Sequence, residues 1–313
     1  MGRKIKKQSK LIIYLLSVIV VTILSFIGIE YGTTETVGNT MPINIAKPEN
    51  LQNIIIKTGP TITKDFLSET KQNLKVYFFD VGQADSILIM NEEQTMLIDA
   101  GNNDDGEMLV KNIETLGITK IDYLVGTHPH EDHIGGMDNI IKNFEIGTIY
   151  MPKVQTNTKT FEDVLDAVKE KGLTISTPKL NDTFKVGQAE CQVLAVDNKA
   201  KNLNLASIVI QMQFDDMTYL FTGDSEKEVE EKILKANKDI KVNILKVGHH
   251  GSDTSSSEKF IQTLAPEISV ISAGKDNLYG HPNQEVVERL EEVESKIYRT
   301  DEVGNVFIEQ RKK

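Results

Sequence analysis

The chain has 313 residues, 39% hydrophobic and 26% charged, with a formal net charge of −11. That composition is globular and excludes a disordered or fibrous protein, and the length suits one large domain or two ordinary ones. The single cysteine, Cys191, excludes an internal disulfide and a cysteine-based metal site, and reads as a small buried apolar residue.

In chain order, the first elements differ from the rest. "MGRKIKKQSK" carries five basic residues and no acid, and the nineteen-residue run "LIIYLLSVIVVTILSFIGI" comes next. At about 1.5 Å per residue a helix over 11–29 is roughly 28 Å long, close to the thickness of a bilayer's hydrocarbon core. This predicts a single transmembrane helix over 11–29, a basic cytoplasmic flank over 1–10, and everything after residue 30 outside the cytoplasm. A cleavable signal peptide, which would leave the remainder secreted, has a shorter apolar region and a small-x-small site that this segment lacks. Residues 30–73 are polar, rich in Thr and Asn, with Pro42, Pro48 and Pro60, and read as a linker. If flexible, it reaches on the order of 35–40 Å. Within it, "NIIIK" and "DFL" are apolar enough to dock on the domain that begins at Leu74.

From Leu74 the pattern is that of one α/β domain over 74–313. Three strands are predicted in "LKVYFFDV", "DSILIM" and "TMLIDAG", with Gly82 and "NEEQ" at the turns. A helix is predicted in "GEMLVKNIETLG", where Met108, Leu109, Ile113 and Leu116 share a face and Gly117 ends it. Strand "IDYLVGTH" leads to helix "IGGMDNIIKNF", strand "IGTIYM" and helix "FEDVLDAVKEKG". Strands "CQVLAV", "SIVIQMQF" and "TYLFTGD" come next, then helix "SEKEVEEKILKAN" and strand "VNILKVGHH". The chain closes with strand "ISVISAG", helix "NQEVVERLEEV" and the hairpin-like "KIYRTDEVGNVFIEQ".

All six histidines fall in three short clusters: His128, His130 and His133 in "GTHPHEDHIGG", His249 and His250 in "LKVGHHGS", and His281 in "YGHPN". A solvated polar loop would not concentrate them so. In H-x-H-x-D-H, ligands at these offsets on an irregular loop can fold around two centres, with His128 and His130 at one and Asp132 and His133 at the other. Neutral imidazole and carboxylate suit Zn, Mn or Fe better than Ca or Mg. Asp99, Asp224, His249/His250 and His281 each come directly after a predicted strand, and strand ends can converge on one edge of a sheet.

The stretches "FFDVGQADSILI", "LIDAG", "THPHEDHIGG", "LFTGD", "LKVGHHGS", "GHPN" and "TDEVGNV" resemble metallo-β-lactamase-fold hydrolases. More narrowly, they resemble the external domain of ComEC competence proteins and related phosphorylcholine esterases. The resemblance implies a four-layer αββα sandwich with two divalent metal ions, Zn or Mn, at the strand-end edge. It implies that His128 and His130 hold one ion, Asp132 and His133 the other, that Asp224 bridges them, and that His281 completes the second. Many family members take a further first-metal histidine from the strand before the bridging aspartate. "LNLASIVIQMQF" has none, so His249 or His250 is expected in its place. Asp99 is expected to hold the histidine loop from behind. Ala84 departs from the family's "DVGQGD", and a single membrane span, where ComEC has many, implies that this chain is not itself the uptake channel.

The function implied is a dinuclear-metal hydrolase, membrane-anchored and extracytoplasmic, in which a metal-bridging hydroxide attacks a phosphodiester of DNA, a nucleotide or an envelope polymer. Asp132, Asp224, His249 and His250 carry the catalytic expectation. The leaving group's proton is assigned to whichever of His249 and His250 does not ligate, since neighbours on an extended segment diverge, to Lys246, or to metal-bound water. Ser252, with Thr254 and Lys246, is a candidate phosphate contact. Ser255 and Glu258 have capping-box spacing, Asp80, Gln83 and Asp85 read as site lining or turn, and Asp301 and Gly304 as a hairpin turn. Hydrolysis of another ester, amide or lactone, and a non-catalytic metal-stabilised binding module, are the alternatives. The first ten residues carry five positive charges, which leaves −16 on residues 11–313. Such acidity, and the absence of Trp, disfavour an extended grip on nucleic acid.

Overall fold

The structure, a computed structural model, describes residues 51–61 and 70–313. The expected anchor over 11–29 and its basic flank lie outside these residues. Among the described residues no helix is long and apolar enough to cross a membrane.

Strands β1 (Ile54–Gly59), β2 (Leu74–Phe78), β3 (Ile87–Asn91), β4 (Gln94–Ile98), β5 (Lys120–Val125), β6 (Glu145–Tyr150) and β7 (Ile175–Ser176) belong to one sheet. The second sheet holds β8 (Thr183–Val186), β9 (Ala189–Ala195), β10 (Val209–Phe214), β11 (Met217–Phe221), β12 (Ile244–Lys246), β13 (Ile268–Ile271) and β14 (Lys296–Arg299). The final strand, β15 (Asn305–Gln310), returns to the first sheet, whose order is β1-β15-β2-β3-β4-β5-β6-β7; the second runs β14-β13-β12-β11-β10-β9-β8.

Side-chain alternation explains the layering. Val76 and Phe78 of β2 point into the cluster between the sheets, where they meet Val193, Met212 and Phe221, while Tyr77 points to the opposite face. That outer face packs under α1 (Gly106–Thr115), α2 (Glu131–Ile134), α3 (Met137–Asn143) and α4 (Lys159–Glu170), through Leu109, Ile113, Met137, Ile140 and Val164. The second sheet's outer face packs under α5 (Lys227–Ala236), α6 (Glu258–Leu264) and α7 (Gln284–Glu292), through Val229, Ile233, Phe260 and Leu290. With a helical layer on each outer face, the expected αββα sandwich is the observed one.

The site depends on strand direction. β4, β5, β6 and β7 are mutually parallel, as are β11, β12, β13 and β14. Loops leaving the carboxyl ends of a parallel run emerge on one edge, which is where open α/β sheets gather ligands.

Three expectations need correction. The linker over 30–73 contains β1, which pairs antiparallel with β15 from Ile54↔Gln310 to Gly59↔Asn305, because "NIIIK" has an apolar face to bury. The closing "KIYRTDEVGNVFIEQ" is not a hairpin. β14 and β15 lie in different sheets, joined by the single-turn α8 (Thr300–Val303), and Gly304 takes a φ of 73° to turn the chain between them. Ser255 and Glu258 do not cap α6. Ser255 Oγ donates to the carbonyl of Gly248 at 2.7 Å, Ser257 is the N-cap, and the amides of Ser256 and Ser257 just before the helix donate to the Glu230 carboxylate on α5.

Since Leu51 and Ile54 are buried, a chain beginning at residue 70 loses about 3–6 kcal/mol of apolar burial. Its thermal midpoint should fall on the order of 10 °C below that of a chain beginning at residue 51. Equal midpoints by calorimetry would show that β1 is dispensable.

Candidate metal centre

Four loops leave parallel strands and converge. The loop after β4 starts with Asp99, which is buried and left-handed at φ 59°. Its carboxylate does not face the centre. Oδ1 accepts the Thr127 amide at 2.8 Å, and Oδ2 accepts the Thr127 hydroxyl at 2.8 Å and Nδ1–H of His133 at 2.8 Å. Turned this way, His133 presents Nε2 to the centre, as metal-ligating histidines backed by a carboxylate do.

The loop after β5 carries His128, His130, Asp132 and His133. It is pressed onto the loop after β4 at Gly135, whose amide donates to the Gly101 carbonyl at 2.9 Å. A Cβ there would lie 2.1 Å from the carbonyl carbon of Asn102, so only glycine permits the approach. His128 is fully buried, and its Nε2 lies 2.9 Å from Nδ1 of His130.

After β11 comes Asp224, buried, with its amide donating to Ser207 Oγ at 3.2 Å. After β12, His249 and His250 both adopt left-handed backbone, at φ 50° and 53°, at about 1–2 kcal/mol each. The extended segment and diverging rings expected from the sequence are therefore not found. The left-handed turn instead brings both Nε2 atoms to Asp224 Oδ2, at 3.6 Å from His249 and 3.7 Å from His250. Nδ1–H of His250 donates to the Ser272 carbonyl at 3.0 Å, which leaves its Nε2 free to ligate.

Asp132, His133, Asp224 and His250 each offer one atom within 4.8 Å of all the others. Of these atoms, His133 Nε2, His250 Nε2 and Asp224 Oδ1 are buried without a hydrogen-bond partner. Buried polar atoms rarely stay unsatisfied, and three that face one another fit a bound cation. The donor set, imidazole with carboxylate, suits a divalent transition ion. On the far side of Asp224, Nε2 of His128 lies 3.9 Å from the same Oδ2 that His249 approaches, so His128, His130 and His249 border a second position sharing that carboxylate.

Electrostatics agree with a cation site. Burial opposes charge on His133, but Asp224, Asp99 and Asp132 outweigh it and hold its pKa well above the usual imidazole value. His250 is raised likewise, against burial, by Asp224, Asp85 and Asp132. Asp224 is held well below the carboxylate range by His133 and His250 despite its burial, whereas burial and the His133 charge push His128 down. The carboxylates of this cluster thus favour positive charge at His133 and His250.

Residues 79–275 match the model of the metallo-beta-lactamase superfamily. The chain belongs to that superfamily. Within it, the chain is 34% identical over 253 residues to "ComE operon protein 3" of Bacillus subtilis, covering 74% of this chain and 32% of that protein. It is 28% identical over 233 residues to "Competence protein ComA" of Neisseria gonorrhoeae, covering 73% and 31%. The chain thus spans about a third of the length of these curated relatives, and the resemblance to ComEC-like proteins stands. Among solved structures, the metallo-beta-lactamase fold protein YhfI of Bacillus subtilis matches with a TM-score of 0.53 at 11% identity, covering 74% of this chain and 98% of YhfI, which speaks to fold alone.

Against the superfamily ligand pattern, His281 lies outside the four-residue group. Its Nδ1 is 3.3 Å from Nε2 of Gln83 and its ring centroid 5.7 Å from that of His249, while His250 joins Asp132, His133 and Asp224. Lys246 does not reach substrate space. It is buried, with Nζ 2.8 Å from Asp85 Oδ2 and donating to the Val247 carbonyl. Asp85 is no turn residue either: its other oxygen is 3.5 Å from His250 Nδ1, which places it behind the site. Ser252 is buried, its hydroxyl 3.1 Å from that of Thr254, and Thr254 in turn lies 3.0 Å from Nδ1 of His249. Asp80 stays exposed, clear of the cluster. Thr127, Ser207, Ser272 and Glu230 escape sequence reasoning, since two hydroxyls, a backbone carbonyl and one glutamate in an acid-rich helix carry no spacing signal.

Asp99→Ala, which frees the His133 ring, should weaken binding of Zn²⁺ or Mn²⁺ about 10–100-fold in competition with a chromophoric chelator. Affinity should also fall on acidification, beginning above the ordinary imidazole pKa, because protons compete for His133 and His250. A flat affinity between pH 8 and pH 5, a span of about three units around the imidazole value, would remove these histidines from the ligand set.

Proposed function

We propose that the chain is a membrane-tethered, extracytoplasmic phosphodiesterase that depends on two divalent ions. The observation that carries this reading is the trio of buried, unpartnered atoms on His133, His250 and Asp224, backed by histidines on the other side of the same carboxylate. Ions held there would supply Lewis-acid charge neutralisation and a nucleophile at neutral pH.

The chain's own residues do the rest. Asp99 and the Ser272 carbonyl fix the rings of His133 and His250, so the ligand atoms need no rearrangement. Asp224 turns Oδ1 toward His133 and Oδ2 toward His128, His249 and His250. His249 is less buried than His250 and linked through Nδ1 to Thr254, so its Nε2 is turned toward Asp224 and would hold the second ion with His128 and His130. Lys246, locked against Asp85, is withdrawn from protonating the leaving group. The substrate class rests on the likeness to proteins named for competence, and the tether on the basic flank and apolar run of residues 1–29. DNA, if it is the substrate, is presented by something other than this acidic chain.

With Mn²⁺ or Zn²⁺, the protein should hydrolyse bis(p-nitrophenyl) phosphate and leave nitrocefin and acyl-lactones intact. Asp224→Asn should lower turnover at least on the order of 100-fold. The reverse substrate pattern would assign a different hydrolysis, and a folded, metal-loaded but inert protein would mark a binding module. Retention of the full chain in carbonate-washed membranes tests the tether.

A further inference from the structure

Beside the metal centre the loop from Gly274 to Pro282 presents two large apolar side chains to water. Leu278 is 101% exposed and Tyr279 74%, and Tyr279 is the one exposed aromatic side chain among the described residues. Their exposure is built in. Asn277 donates through Nδ2 to the Gly274 carbonyl at 2.9 Å and accepts the amides of His281 at 3.0 Å and Tyr279 at 3.2 Å, while the Gly274 amide donates to Gln83 Oε1 at 3.0 Å. One asparagine thus staples the loop into a turn whose tip points outward. The Tyr279 ring stacks on His281, with centroids 5.7 Å apart and planes at 25°, and His281 lies edge-on to His249, again at 5.7 Å. A continuous aromatic ledge therefore runs from the metal centre to an open face of Tyr279.

We propose that Tyr279 is a specificity-determining residue, stacking a nucleobase of the nucleotide next to the scissile phosphodiester while Leu278 covers the edge of that base. This rests on the phosphodiesterase reading and deepens it. The two ring spacings bound the distance from the His249 ring to the Tyr279 ring at about 11 Å. Every base has a π-face that a tyrosine can stack without reading sequence. An acidic chain with one such platform among its described residues grips its substrate locally at the reacting end.

The experiment uses the full, metal-loaded chain and two esters with the same leaving group: thymidine 5′-(p-nitrophenyl phosphate), which carries a base, and methyl p-nitrophenyl phosphate, which does not. The wild type should favour the thymidine ester in kcat/KM, and Tyr279→Ala should reduce that preference roughly 5- to 100-fold, chiefly through KM. Tyr279→Phe should restore most of it. The chain contains no Trp, so Tyr279→Trp places a lone tryptophan emitter at the ledge. Its fluorescence should be quenched by oligothymidylate and not by an abasic oligomer of equal length. A preference that survives Tyr279→Ala, or emission equally unaffected by both oligomers, would overturn the proposal. Should neither ester turn over, the phosphodiesterase reading fails, and the quenching experiment still decides on base stacking.

Discussion

A carboxylate buried among imidazoles, Asp224, is the constraint around which the rest of the structure is organised. Taking such a charge out of water costs several kcal/mol unless positive partners surround it. Here the surroundings come from loops on both sheets: His128 and His133 from the first, His249 and His250 from the second. The same crowding explains the strained backbone. Non-glycine residues at positive φ persist only where their surroundings over-determine them: His249 and His250 are in that region with their side chains turned to Asp224, and Asp99 with its carboxylate turned to Thr127 and His133 behind it. The geometry that raises the proton affinity of His133 and His250 is the geometry that would hold a cation, so the metal-free and metal-bound forms compete for one set of lone pairs.

The floor of the site also fastens the sheets together. Lys246 ends β12 in the second sheet and pairs with Asp85, which precedes β3 in the first, while the Asp85 amide donates to the Asp132 carbonyl and its carbonyl accepts from Gly101. Removing one member would leave an uncompensated buried charge against His250, so stability and ligand geometry are coupled at this pair. A lysine beside a histidine motif looks like a proton donor in a one-dimensional reading, and only burial shows that it is a buttress.

Much of this architecture is legible in the chain alone, for physical reasons. Period-two alternation in "LKVYFFDV" and amphipathic spacing in "FEDVLDAVKEKG" encode which faces are buried, so the layers can be anticipated. Histidines at strand ends encode convergence, because parallel strands deliver their loops to one edge. Pairing across long separations leaves no such trace. Nothing in "NIIIK" says that its partner is the last strand of the domain, and nothing in "KIYRTDEVGNVFIEQ" says that its two strands part into different sheets. Backbone conformation is equally hidden: "GHHGS" comes after an apolar strand and reads as its continuation, whereas two left-handed residues reverse it. His281 enters the ligand set only by likeness to a family pattern, and it lies outside the group that the turn carrying His250 completes.

The charge of residues 11–313 bears on how such a centre meets a phosphodiester. At −16, the long-range field repels polyanions, and affinity cannot come from counterion release along a basic face. In the proposed reading attraction is then local, supplied by the ions that the strand-end edge would hold and by contacts that carry no charge. The ledge from His249 through His281 to Tyr279 is of that kind, since stacking is indifferent to the sign of the protein's field. The proposed phosphodiesterase, so arranged, would engage a strand that is delivered to it and ignore nucleic acid in bulk, which is the behaviour suited to the proposed tether outside a membrane.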